Sequence, residues 1–231
     1  MFSFKQYIES KKPMNYRPRD GQEEALRNWI EENANHIIGR RIHMSYEGVG
    51  EITDVPQIVE PGYYRMNGKP FGLWYAFGRD WIDFVANQMP SGVVDNIYEV
   101  VLNPTRLLVV KDQKTVEEIE KEFAVLSGFK NHGWSSDDKY GMFGGIKKVG
   151  WGIGTSKNPN GPGYVTTEHP RLLNWEQMRQ AYDGIELYPE KIEAAWSEDW
   201  TVDSGCIWNK QGIKTLKTLG RYDPVSSRYV V

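Results

Sequence analysis

The sequence is poor in the residues that build disulfides and metal centres. Its 231 residues include one cysteine, Cys206, and only four histidines, which are scattered without the spacing of a ligand set. A lone cysteine excludes an internal disulfide, and no group of thiols has zinc-site spacing. The sequence therefore predicts a protein of a reducing, cytosolic compartment that needs no metal.

Long apolar runs and an excess of basic charge are also missing. No apolar stretch approaches the ~18 residues that a membrane-spanning helix needs, and residues 1–10 lack the apolar core of a signal peptide. Lysine and arginine number 28 against 31 acidic residues, which gives a net charge of −3. Proteins that bind duplexes by neutralising phosphates usually carry a basic excess, so that class is disfavoured. We expect no membrane partner.

What the chain does contain is typical of one globular α+β domain spanning residues 1–231. Apolar residues make up 39% and charged residues 26% of the chain, a balance that favours a packed core over disorder. Residues 1–19 form an N-terminal arm that turns basic and proline-bearing. Residues 128–163 form a glycine-rich insertion without clear periodicity, and residues 210–231 form a basic tail.

Periodicity and capping signals predict the individual elements. Asp20 is the expected cap of the first helix, a capping box is expected to begin at Thr115, and Asn174 is expected to cap the last helix. The predicted helices span 20–37, 79–87, 115–126 and 174–182. The predicted strands span 40–47, 71–77, 184–188 and 204–208, with 97–102 and 106–110 as a strand pair.

Three segments carry most of the polar and aromatic side chains suited to a site. Arg41-Ile-His-Met-Ser45 alternates as a strand, which places His43 and Ser45 on one face together with Arg41. Lys69-Pro-Phe-Gly-Leu-Trp-Tyr75 is an aromatic strand that leads into a helix. Tyr182-Asp-Gly-Ile-Glu186 places one carboxylate on a short strand. Each segment also has a plain structural interpretation, as a bonded histidine, a core strand and a solvent-facing glutamate.

The order of these segments resembles the His–Tyr–Glu branch of the ADP-ribosyltransferase fold, which includes the poly(ADP-ribose) polymerases and diphtheria-type toxins. His43-Met-Ser45 is similar to the His-x-Ser/Thr of the family's first motif strand. Gly72-Leu-Trp-Tyr-Ala76 is similar to the Gly-Ile-Tyr-Phe-Ala of the second, and Glu186 stands where the catalytic glutamate is expected. Together with Asp203-Ser-Gly-Cys-Ile-Trp208, these segments also look like uncharacterised phage and bacterial relatives.

The resemblance implies a split antiparallel β-sheet core flanked by short helices, with NAD+ as substrate in a cleft. His43 is then expected to bind the adenine-side ribose, Ser45 the nicotinamide end and Arg41 the pyrophosphate. Glu186 is the expected catalytic residue, assisted by His43, and no metal is required. Of the two adjacent aromatics, Trp74 is favoured over Tyr75 as the ring that stacks on nicotinamide, with Trp81 or Phe84 as a second wall.

The same resemblance leaves the acceptor open between protein and nucleic acid. Gly184 stands two residues before Glu186, where toxins that modify arginine carry Gln or Glu, so an arginine target is disfavoured. A cytoplasmic location is expected, in the host cell if the protein is phage-encoded. Two alternatives remain: an inactive binding module of the same fold, and a glycoside hydrolase that uses Asp199, Asp203 or Glu186 as an acid–base pair.

Overall fold

The structure is a computed structural model that describes residues 19–46, 48–57, 69–80, 82, 94–103, 106–123, 173–197 and 200–231. The predicted arm except Arg19, the glycine-rich insertion, and most of the predicted helix 79–87 lie outside the described residues.

Helices and strands share the described residues, and the α+β prediction is confirmed. The helices are α1 (Gln22–Ile37), α2 (Gln113–Phe123) and α3 (Trp175–Ala181). The first strands are β1 (Arg41–Ser45), β2 (Leu73–Phe77), β3 (Asn96–Leu102) and β4 (Leu107–Val110). They are followed by β5 (Gly184–Leu187), β6 (Ser204–Ile207), β7 (Ile213–Asp223) and β8 (Arg228–Val230).

All eight of these strands join one sheet in the order β4-β5-β6-β2-β1-β3-β7-β8. Neighbouring strands run antiparallel except β4 and β5, which are parallel. The sheet is therefore mixed, whereas a wholly antiparallel sheet was expected. The parallel pair follows from the connection between its strands, because α2 and α3 lie in the long crossover from β4 to β5. The basic tail contains β7 and β8, which the sequence analysis missed.

The predicted pairing of strands 97–102 and 106–110 is wrong. Both segments are strands, but β3 pairs with β1 and β7, whereas β4 pairs with β5 at the opposite edge of the sheet. A short connection at Asn103 suggested a hairpin. Instead, β4 aligns its four residues with β5, from Leu107 opposite Gly184 onward.

Local capping chemistry decides where the helices begin. Asn174 caps α3 as predicted, since its side chain accepts a hydrogen bond from the backbone N–H of Gln177. The cap of α2 is Asp112 and not Thr115, because the Thr115 backbone N–H and hydroxyl both donate to Asp112 Oδ1, at 2.9 and 2.8 Å. The N-cap of α1 is Gly21, one residue beyond the predicted Asp20, with a φ of 78° that favours glycine.

The sheet has two different faces, which strand alternation and register define. The front face carries Arg41, Tyr75 and Glu186, and the back face carries Ile42, Trp74 and Ile185. Helix α1 covers the back of β1 and β3 through Leu26, Trp29 and Ile30. Helices α2 and α3 cover the back of β4 to β6 in a second cluster rich in tryptophan, with Trp175, Trp196, Trp200 and Trp208.

The junction between β1 and β2 is short. Their backbone pairing covers only Arg41 with Phe77 and Ile42 with Ala76. Beyond these two pairs β1 continues against β3 and β2 continues against β6. Next to these pairs the His43 side chain joins β1 to β2, because its Nδ1 lies 2.6 Å from the backbone carbonyl oxygen of Trp74. The two halves of the sheet are therefore joined at their narrowest point beside His43.

Candidate functional site

The front face presents a buried carboxylate, Glu186, in the middle of strand β5. Glu186 is 2% exposed, and an ionised carboxylate at that depth is costly unless it is paired and hydrogen-bonded. Cross-strand register places Gly205 of β6 between Glu186 and Tyr75 of β2. Because Gly205 has no side chain, Tyr75 reaches across β6 to the carboxylate.

Two side chains meet the same oxygen of Glu186. Arg41 Nε donates to Oε1 at 2.5 Å, and the Tyr75 hydroxyl donates to Oε1 at 2.8 Å. The other oxygen, Oε2, accepts no hydrogen bond in the described part of the chain, and it is not among the fully enclosed polar atoms that lack a partner. One oxygen is therefore held twice while the other is left for a further donor.

The electrostatics of this trio favour one protonation pattern. Burial alone lowers the pKa of Arg41, but the hydrogen bond and the charge of Glu186 outweigh it and raise that pKa above its ordinary value. Burial and the charge of Glu186 raise the pKa of Tyr75 well above 10. At neutral pH Arg41 is therefore a guanidinium cation and Tyr75 a neutral phenol, and both donate to Oε1 of Glu186.

His43 is a neutral imidazole of defined tautomer. Burial lowers its pKa from 6.5 to about 4, with partial opposition from the bond to the Trp74 carbonyl. A carbonyl only accepts, so Nδ1 carries the proton and Nε2 is the bare acceptor nitrogen. The ring also stacks at 29° on Tyr98, with 6.3 Å between centroids. Nε2 is therefore the acceptor nitrogen of a ring that is 3% exposed.

A stack of charged and aromatic side chains borders Glu186, and the sequence analysis did not predict it. The guanidinium carbon of Arg41 lies 5.5 Å from the centroid of the Phe77 ring. Phe77 in turn stacks on Tyr188 at 5.6 Å and 23°, and Lys191 Nζ lies 5.4 Å from the Tyr188 centroid. Alternation from Tyr75 to Phe77, and from Glu186 to Tyr188, was the only signal that placed these rings on the front face.

Trp74, the predicted nicotinamide platform, faces the other way. Its register partner is Cys206, on the back of β6. Its ring meets Trp200 edge-on, with 4.7 Å between centroids, and Lys69 Nζ lies 5.2 Å from the Trp74 centroid. Adjacent strand residues point to opposite faces, so Tyr75 lies beside Glu186 and Trp74 does not. Which of the two rings contacts nicotinamide stays a prediction, but only Tyr75 shares a face with Glu186.

The remaining predicted site residues are only partly placed. Ser45 lies at the end of β1, on the front face two residues beyond His43 and opposite Asn96 of β3. Trp81 and Phe84 lie outside the described residues. The structure thus brings Arg41, Tyr75 and Glu186 into direct contact.

The structure describes two of the three carboxylates considered for the hydrolase alternative, and that alternative stays a prediction. Asp199 lies outside the described residues. Asp203 precedes β6, and its carbonyl accepts a hydrogen bond from the Phe77 N–H at 3.3 Å. Partial burial raises the pKa of Asp203, and Lys191 opposes this shift. Glu186, the other member of the pair, is already occupied on Oε1 by Arg41 and Tyr75.

Comparisons of the chain with family models, with curated proteins and with solved structures gave no match. Among the described residues, no helix is both long enough and apolar enough to cross a bilayer. The same residues hold no group of three or more His, Cys, Asp or Glu side chains arranged to bind a metal ion. The family and the need for NAD+ stay predictions.

Proposed function

We propose that this protein is an NAD+-dependent ADP-ribosyltransferase. The observation that carries the proposal is the buried, doubly bonded carboxylate of Glu186 on the front face. It stands on the third of the three strands that the resemblance singles out. Arg41 and His43 come from the first of these strands and Tyr75 from the second.

In the proposed reaction the bond between nicotinamide and C1 of its ribose breaks, and nicotinamide leaves with the bonding electron pair. An acceptor atom then forms a bond to C1 and loses a proton, so no oxidant or reductant is consumed. Glu186 accepts a hydrogen bond from the ribose 2′-hydroxyl and stabilises the positive charge that develops on the ring. Preorganised electrostatics of this kind supply several kcal/mol, on the order of 3, at the transition state.

The neighbouring groups suit this chemistry. His43 is neutral, with Nε2 as an acceptor, which fits recognition of a sugar hydroxyl better than of an anion. The acceptor is a macromolecule, protein or nucleic acid.

The test uses purified protein, NAD+ labelled in the ADP-ribose part, and a bacterial lysate. Nicotinamide release and label transfer are followed for the wild type and for Glu186→Gln. We expect the substitution to lower turnover by about 1,000-fold. Separate nuclease and protease digestion then identifies the acceptor class.

Glu118→Gln is the matched control, because Glu118 is an exposed glutamate on α2 whose only described ion pair is with Lys114. It is expected to keep wild-type turnover. Absence of nicotinamide release by the wild type, together with absence of NAD+ binding by calorimetry, would overturn the proposal. Binding without release would identify the inactive binding module instead.

A further inference from the structure

The two oxygens of the Glu186 carboxylate have different surroundings. Both described hydrogen bonds fall on Oε1, from Arg41 Nε at 2.5 Å and from Tyr75 at 2.8 Å. A carboxylate pinned at one oxygen keeps only its second oxygen for a new donor. The side chain is therefore oriented before any ligand arrives.

The two donors are themselves fixed by packing. Tyr75 is 1% exposed and packs with Leu73, Val100 and Ile207 in a front-face cluster. The Gly205 backbone lies directly beneath its ring, since a Cβ at that position would lie 2.5 Å from the Tyr75 hydroxyl oxygen. Neither the ring nor the hydroxyl has room to shift toward β6.

Arg41 is held from two directions. Its Nε donates to Glu186, and its guanidinium carbon lies 5.5 Å from the centroid of the Phe77 ring, which stacks on Tyr188. About a third of the Arg41 side chain is exposed, against 3% of the Glu186 side chain. The guanidinium thus lies at the outer side of the carboxylate and neutralises it from there.

We infer that Arg41 and Tyr75 are positioning residues for Glu186: they immobilise Oε1 and direct Oε2 to the substrate hydroxyl. The inference rests on the proposed function, and it assigns both side chains a role different from the expected contacts with pyrophosphate and nicotinamide. Substitutions of Arg41 or Tyr75 are then expected to lower turnover by displacing the Glu186 carboxylate. Misplacement of a reacting group by about 1 Å lowers turnover by roughly 100-fold.

The test is a double-mutant cycle on nicotinamide release. Arg41→Gln and Tyr75→Phe are each made in the wild type and in Glu186→Gln. In the wild-type background we expect kcat to fall by about 100-fold with KM changed less than about threefold. In the Glu186→Gln background we expect a further loss below about twofold, because the group being positioned is already gone.

Conservative variants and controls sharpen the cycle. Arg41→Lys is expected to be as slow as Arg41→Gln, because lysine lacks both the Nε–H and the flat group that lies on Phe77. Arg40→Gln is the matched control: Arg40 pairs with Glu99 at 3.0 Å, away from Glu186, and its loss is expected to leave kcat unchanged. If Arg41→Gln fails to fold, Tyr75→Phe, which removes a single oxygen, carries the cycle alone.

The outcomes separate the two proposals. A tenfold or greater rise in the calorimetric Kd for NAD+ when Arg41→Gln is added to Glu186→Gln shows direct binding of NAD+ by Arg41, and this overturns the inference alone. Additive losses of kcat in the two backgrounds overturn it as well. A wild type without NAD+ turnover overturns the proposed function, and the inference with it.

Discussion

The two faces of the sheet use aromatic residues in different ways. On the back face, four tryptophans are buried beneath α2 and α3, and two of them, Trp196 and Trp208, are 2% and 1% exposed. On the front face, Tyr75 and Phe77 lie against charges, beside Glu186 and Arg41 respectively. Adjacent residues of one strand, Trp74 and Tyr75, thus belong to different environments. A high aromatic content therefore says little about function until each ring is assigned to a face.

The largest effect is expected on the back face. Trp208→Ala removes a buried indole whose Nε1 donates to the Tyr182 carbonyl at 2.7 Å, and we expect a loss of about 4 kcal/mol in the free energy of unfolding. Tyr188→Ala on the front face, where the ring is half-buried, is expected to cost about 1 kcal/mol. Urea titration of both variants measures the difference. Equal losses of stability in the two variants would contradict the claim that the back-face rings stabilise the fold more than the front-face rings do.

The buried His43 ring is expected to make the stability of the protein depend on pH. Its folded pKa of about 4 lies below the ordinary 6.5, so between these values the unfolded chain binds the proton more readily than the folded one. The stability contributed by the neutral ring is fully present above pH 6.5 and is lost as the pH falls toward 4, by about 3 kcal/mol in total.

Urea titrations at a series of pH values measure this loss, with His43→Gln and His36→Gln beside the wild type. His36 is exposed, and its variant is expected to follow the wild type. The His43 variant is expected to lose the pH-dependent component. A wild-type stability that stays flat from pH 6.5 to 4 would show that His43 is not buried as a neutral ring.

Gly205→Ala is expected to disrupt the contact between Tyr75 and Glu186 while leaving both of these residues unsubstituted. The new Cβ would lie 2.5 Å from the Tyr75 ring and hydroxyl, so the ring must move off the carboxylate. We expect a loss of about 2 kcal/mol in stability and of about 100-fold in kcat. The control is Gly48→Ala, where the nearest contact is an ordinary 3.7 Å to the Tyr98 hydroxyl. Unchanged turnover in Gly205→Ala would show that the Tyr75 contact is dispensable.

A small loss of stability, about equal to that of Tyr188→Ala, is expected from Trp74→Phe, which tests the assignment of this ring to the back face. The variant keeps an aromatic ring but weakens the edge contact with Trp200, at a cost of about 1 kcal/mol in stability. Because Trp74 faces away from Glu186, the KM for NAD+ is expected to stay unchanged. A tenfold rise in KM would restore Trp74 as the nicotinamide platform.

Local signals in the sequence predicted much of the fold and part of the site. Strand alternation placed Arg41, His43 and Ser45 on one face, and the structure keeps them on the front face. The cap at Asn174 was also read correctly. These features depend on neighbours within a few residues, where backbone geometry and side-chain reach are known in advance.

Local sequence signals could not predict which strands pair when those strands are far apart in the chain. Proximity along the chain suggested a hairpin of β3 and β4, whereas β4 finds its partner more than 70 residues later in β5. The choice between Trp74 and Tyr75 also depended on register, because only the pairing of Tyr75 with Gly205, and of Gly205 with Glu186, shows which ring reaches the carboxylate. Gly205 lies in the Asp203-to-Trp208 segment that carried part of the resemblance, but nothing in the sequence gave this glycine a role of its own.

The sequence by itself determined most of the short segments that become strands and helices, though not β7 and β8, and it determined which segments carry the histidine, the aromatic pair and the glutamate. Periodicity and capping act between residues close in the chain, and they need no knowledge of the partner strands. Only the tertiary structure decided that Arg41 and Tyr75 meet on one oxygen of Glu186. That contact joins residues 145 and 111 positions apart, and it exists because strand register and one missing side chain, at Gly205, align them across the sheet.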